Sequence, residues 1–169
     1  MTPQDSIERH QIEERMKSGA HWFYWIAALS LITSIIVLTG NNWAFLVSLG
    51  ITQFVDAVAT AAAPRAGESV KIVALVFDVI AAGLFALIGY FASKRHSWVF
   101  IVGMALYALD ALILALVMES PWLGLAFHAF ALYSMFSGYR ACARLNEWDR
   151  EAVMAGVAPD SPPPMTGTA

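Results

Sequence analysis

The chain is short of cysteine, of charge and of any familiar catalytic signature, and each shortage removes a class of protein. Cys142 is its one cysteine, so neither an internal disulfide nor a cysteine-only zinc site is open to it. Charged residues make up 14% of the sequence, against about 25% in soluble domains. The formal net charge is only −3 and no basic, aromatic-interleaved surface occurs, which excludes nucleic acid as a partner. Gly-x-Ser-x-Gly, His-Glu-x-x-His, a Walker loop and Cys-x-x-Cys are all missing. Serine hydrolase, zincin, nucleotide-hydrolase and thiol-redox chemistry therefore lack support.

What remains is apolar. Hydrophobic residues are 59% of the 169 and the mean hydropathy is +0.61, beyond what a soluble globule can bury. Five runs carry this surplus: Trp22 to Leu38, Trp43 to Ala63, Val70 to Ala92, Trp98 to Met118 and Trp122 to Tyr139. Each has about the 17 to 25 residues that a membrane-crossing helix needs, and a helix satisfies its own backbone amides in lipid. Trp22, Trp43, Trp98 and Trp122 all fall at run starts, the headgroup level that indole prefers. Gly40-Asn41-Asn42, Pro64 to Gly67, Lys94-Arg95-His96 and Ser120-Pro121 supply turn chemistry between the runs. The expected fold is an all-α integral membrane protein, a bundle of five transmembrane helices joined by short connections.

The polar ends frame that bundle. Residues 1–21 read as a polar arm or a short helix at the membrane surface, with Ile7, Ile12 and Met16 on one side. Its mixed charge, and the lack of a small-residue cleavage site after the first run, favour a retained span over a removed signal peptide. The five-helix transmembrane domain occupies 22–140, a helical extension into water is expected over 141–158, and the Ser-Pro-Pro-Pro tail, 159–169, reads as disordered.

Lysine and arginine beside the spans set orientation. With five alternating crossings, Arg9, Arg15, Lys17, Arg65 and Lys71 share one face, and Lys94, Arg95, Arg140, Arg144 and Arg150 share the other. That even division leaves orientation undetermined, and it is the balance that insertion in both orientations would show.

Ionisable residues inside the runs are the candidate site. Asp56, Asp78, Asp110 and His128 each lie roughly 10 to 12 Å from a span end at 1.5 Å per residue, which sets them in one layer, with Ser30 at a similar height. Charge at that depth costs about 2.5 to 3.5 kcal/mol on insertion scales, so such a group turns to a partner, to water or to an ion. Ser48, Thr52, Asp56 and Thr60 recur every four residues as one helical stripe, with Gln53 beside it. Several carboxylates in one low-dielectric layer require protons, a bound cation or a protonated His128. Oxygen ligands with one imidazole suit cations from Na⁺ and Mg²⁺ to Mn²⁺ and Zn²⁺, so the donor set does not choose among them.

Three sequence stretches carry a resemblance. HWFYWIAALSLITSII (21–36), LGITQFVDA (49–57) and FHAFALYSMFSGYRACARL (127–145) resemble motifs of small multi-spanning proteins of the bacterial inner membrane. The resemblance implies a shared helical membrane fold in that membrane, and no activity comes with it. Five tryptophan-rich spans are also similar in architecture alone to the translocator-protein family of porphyrin and sterol binders.

The leading functional expectation is a small cation or proton transporter or channel. Asp56, Asp78, Asp110 and His128 would hold the ion or proton, and Ser30, Thr52 and Gln53 would add neutral oxygens. A non-catalytic accessory subunit, whose polar layer holds its own helices or a neighbour's, is the alternative, and an intramembrane metalloenzyme is a third. The expected partners are the lipid bilayer and a second copy or another membrane protein.

Overall fold

The computed structural model describes residues 3–38, 54–55, 58–59, 61, 69–117, 122–154 and 156. Among them the chain is wholly helical: α1 Pro3–Leu38, α2 Ser69–Ser93, α3 Ser97–Val117 and α4 Trp122–Met154. Four long helices are thus described where five were expected. The expected second span, Trp43 to Ala63, lies almost entirely outside the described residues, and Thr52, Gln53 and Asp56 lie outside them too, as does the tail from residue 157.

Three of the helices are long and apolar enough to cross a membrane, over Ser6–Ile36, Ile72–Ser93 and Ser97–Leu116. Their outward faces carry Ile72, Val73, Ile80 and Leu116 at 64 to 77% exposure, a surface that is costly in water and suited to lipid. The chain is a multi-pass helical membrane protein in contact with the bilayer. The fourth helix is long enough as well. Its apolar half, however, is diluted by His128, Tyr133, Ser134, Ser137 and Tyr139.

α1 runs unbroken for 36 residues, about 54 Å at 1.5 Å per residue. A hydrocarbon core is about 30 Å thick, so the charged first half of the helix stands outside it. α4 is similarly long, and its charged end packs against this half of α1. Arg9 Nη2 donates to Asp149 Oδ1 at 2.9 Å, and Arg144 Nη2 to Glu8 Oε1 at 2.8 Å.

Contacts between helices give their directions. Gly19 meets Gly138, and Trp22 meets Phe127 and Phe130, so α1 and α4 are antiparallel. Phe100 lies against Gly138 while Asp110 reaches His128, so α3 and α4 are antiparallel. Ile88 and Phe85 of α2 meet Gly103 and Tyr107 of α3 in the same reversed order. Phe23 packs on Phe85 and lies beside Gly89. Six residues past Gly89, Arg95 donates to the same Asp149 that Arg9 holds. α2 therefore ends at the level where α1 begins, and the two are antiparallel as well.

The five-helix bundle is not supported, since four helices are described, and their directions change the expected faces. α1 ends at Leu38 and α2 begins at Ser69 at the same end of the bundle, so the described helices do not follow the face assignment that five alternating spans gave. The cations regroup accordingly. Arg9, Arg15, Lys17, Lys94, Arg95, Arg140, Arg144 and Arg150 all belong to one end, and Lys71 opens α2 at the other.

The turn between α2 and α3 is held from outside. His96 N donates to Phe91 O at 3.4 Å and Arg95 N to Ala92 O at 3.1 Å, a Schellman closure of α2. Its left-handed position is filled by Arg95 (φ 68°) rather than glycine. A non-glycine residue there is strained, and α4 offsets the strain: Asn146 Nδ2 donates to the Arg95 carbonyl at 3.1 Å, while Arg95 Nη1 donates to Asp149 Oδ2 at 3.0 Å. The core lies between this turn and the polar layer, built from Met16, Phe23, Phe100, Tyr107, Met135 and Leu145.

Candidate functional site

Beyond that aromatic core the four helices bring polar side chains inward. Ser30, Asp78, Asp110 and His128 are all buried, none more than 4% exposed. Their helix registers agree. Phe85 and Phe23 share one level, and Asp78 and Ser30 each lie seven residues beyond them along antiparallel helices. Asp110 lies three residues past Tyr107, the ring that faces Phe85. Each of these residues sits on the inward stripe of its helix, with Ala74 and Ala82 flanking Asp78 one turn away and Ala131 following His128.

Two of them are joined directly. His128 Nε2 lies 2.9 Å from Asp110 Oδ2, a contact buried between α3 and α4. The other ring nitrogen, Nδ1, lies 2.8 Å from the Gly124 carbonyl oxygen one turn earlier. A carbonyl only accepts, so Nδ1 carries a hydrogen and donates. That assignment limits the opposite edge of the ring: either Asp110 is protonated and donates to Nε2, or the imidazolium donates to the carboxylate. In both forms the pair holds one shared proton and is neutral overall. Such neutrality is what a low-dielectric interior favours, because an unbalanced buried charge is expensive.

Tyr107 stacks on the imidazole with centroids 4.4 Å apart and planes inclined by 13°. Gly124 lets the helices close, since a Cβ there would come 2.8 Å from Leu114 Cδ2. The other side of Asp110 faces a groove of about 280 Å³ between α2 and α3, lined by apolar side chains that include Phe77, Leu84, Leu106 and Ile113.

Among the described residues, no three His, Cys, Asp or Glu side chains gather as a metal-binding group. Asp78, Asp110 and His128 therefore share a layer without forming a three-ligand cation site by themselves. Asp56, Thr52 and Gln53, the second-span members of the expected set, lie outside the described residues.

Sequence reasoning missed two features. Ser34 and Thr33 are buried beside Ser30, with Ser34 Oγ donating to the Ser30 carbonyl at 3.1 Å. Their spacing was visible but was not used. The bracket of Arg9 and Arg95 on Asp149 had no local signal, because its members are up to 140 positions apart.

Compared with known protein families, with curated proteins and with solved structures, the chain matches none. The likeness seen in the sequence thus brings no relative whose activity bears on the site.

Proposed function

We propose that the protein is a small proton-handling transporter or channel of the bacterial inner membrane, with the Asp110–His128 pair as its proton site. The observation that supports this is the buried contact of the imidazole with Asp110, with the other ring nitrogen donating to the Gly124 carbonyl, an arrangement consistent with one proton shared by the pair. Intramembrane Asp–His pairs suit proton relays, because the proton can sit on either partner without creating net charge. Asp78 supplies a second carboxylate at the same level, and Ser30 a neutral hydroxyl. Asp56, Thr52 and Gln53 complete the proposed set from the second apolar run. The preference for protons over a metal cation rests on the imidazole itself, both of whose nitrogens are engaged, by the Gly124 carbonyl and by Asp110.

Proteoliposomes containing a pH-sensitive dye test the reading. An imposed pH or potential gradient should drive proton movement through the wild-type protein, and Asp110→Asn and His128→Gln should each abolish it. Wild-type vesicles no leakier than empty ones would sink the proposal.

A second reading, an accessory or structural subunit, is favoured by the completeness of the same contact. Both ring nitrogens are partnered and Tyr107 stacks on the ring, as in a latch that fixes α3 against α4. Under this reading the Asp110 and His128 substitutions lower thermal stability, and neither wild type nor variants move protons.

A further inference from the structure

We propose that the groove between α1 and α4 bounded by Arg15, Arg140 and Arg144 binds the phosphate headgroup of an anionic phospholipid. It measures about 270 Å³, and Ile12, Tyr133, Phe136 and Ser137 complete the part that matters here. No acidic residue lines it. Among the described residues neither Arg15 nor Arg140 takes part in an ion pair, so two guanidinium groups are available to an anion. Arg144 pairs with Glu8, but those side chains are 57% and 51% exposed. An ion pair so exposed contributes little in water, and a phosphate can share or replace it. Guanidinium forks match phosphate oxygens in geometry as well as charge.

Position selects a lipid over free phosphate. Tyr133, Phe136, Ser137, Arg140 and Arg144 fall on one face of α4 at helical spacing, and Tyr133 and Phe136 are 73% and 47% exposed. Going from Arg140 to Tyr133, about 10 Å along the axis, the groove changes from charged through hydroxyl to aromatic. A phospholipid presents phosphate, glycerol and acyl chain in the same order, whereas a free phosphate has no use for an exposed aromatic floor. The change occurs where the apolar half of α4 ends at Tyr139, the level at which long basic side chains reach headgroups. The remaining basic residues of this end add attraction for an anionic leaflet. This inference is independent of the proton-site reading.

Native mass spectrometry of delipidated protein in a nonionic detergent tests it, with dioleoyl-phosphatidylglycerol, dioleoyl-phosphatidylcholine and inorganic phosphate titrated separately. Phosphatidylglycerol should bind about tenfold or more tightly than phosphatidylcholine, each nearby basic side chain contributing to the difference. The combined R15Q/R140Q/R144Q variant should lose that preference, the corresponding lysine variant should keep most of it, and R150Q, outside the groove, should leave it unchanged. Equal affinity for the two lipids, or a glutamine variant that retains the preference, overturns the proposal. Displacement of phosphatidylglycerol by equimolar inorganic phosphate overturns the lipid assignment. Should the triple variant fail to fold, R15Q and R140Q singly carry the same test, because neither breaks an ion pair found among the described residues.

Discussion

Gly19 of α1 and Gly138 of α4 face each other so closely that a Cβ on Gly19 would lie 2.5 Å from the Gly138 Cα, and one on Gly138 would lie 2.6 Å from the Gly19 Cα. Backbone rather than flexible side chain occupies that space, so any larger residue must push the helices apart. Overpacking of this kind costs about 1 to 3 kcal/mol. Gly138→Ala should lower the Tm in detergent and Gly19→Leu should lower it further, whereas Gly83→Ala, with open space around it, should not. Equal melting of all three would remove the close crossing.

The Asp110–His128 contact should appear as a coupling energy. The pair is neutral overall, so removing either side chain leaves its partner without a hydrogen bond in the interior. The single alanine variants should therefore cost about 1 to 3 kcal/mol, the range for an unsatisfied buried polar group, and not the 3 to 5 kcal/mol of a stranded buried charge, about the range seen for broken ion pairs. The double variant should cost clearly less than the two singles combined. A strictly additive cycle would show that the two side chains do not interact.

Asp149 ties three segments together, receiving Arg9 from α1 at 2.9 Å and Arg95 from the α2–α3 turn at 3.0 Å. Asp149→Asn leaves two guanidinium groups competing for one amide oxygen and also loosens the strained turn at Arg95. We expect a loss of about 1 to 3 kcal/mol, since hydrogen bonds to charged groups lie in this range. Hydrogen exchange should rise at residues 94–97 first. Unchanged protection there would mean that the turn holds itself.

Orientation follows from the regrouped cations. Eight residues, Arg9, Arg15, Lys17, Lys94, Arg95, Arg140, Arg144 and Arg150, mark the end where α1 begins and α4 finishes, and such an excess faces the cytoplasm. Reporters fused at either terminus should be active only on the cytoplasmic side. Comparable signals on both sides, as the even division under five crossings implied, would contradict the helix directions.

Cys142 is fully buried, and burial pushes its thiol up, with the Arg95 charge and the Asn146 amide pulling the other way. A thiol that titrates later than normal keeps its proton at neutral pH, so alkylation by iodoacetamide at pH 7 should be far slower than in the unfolded chain. The sign for stability is the same as for any raised group: the contribution is intact below the unfolded thiol's value of about 8.5 and declines as pH rises beyond it. Rapid labelling of the native protein at pH 7 would place Cys142 outside the core.

Individual helices were legible because their causes are local. Trp98 and the Lys94–His96 break mark the start of α3 in the sequence, and α3 begins at Ser97. The inward faces of Asp78, Asp110 and His128 followed from small residues at helical spacing, and burial of all three agrees with that reading. Which of these groups touch was not legible from depth alone. Residues on different helices can share a height while differing in azimuth, and the contact of Asp110 with His128 depends on both.

Hydropathy and residue chemistry alone determined that this is a helical membrane protein, because burial in lipid is read residue by residue along the chain. Which side each helix end occupies, and which two ionisable groups meet, was decided only by tertiary structure. A span reads the same in either direction, and pairing such as Arg9 with Asp149, 140 positions apart, leaves no mark in any local window.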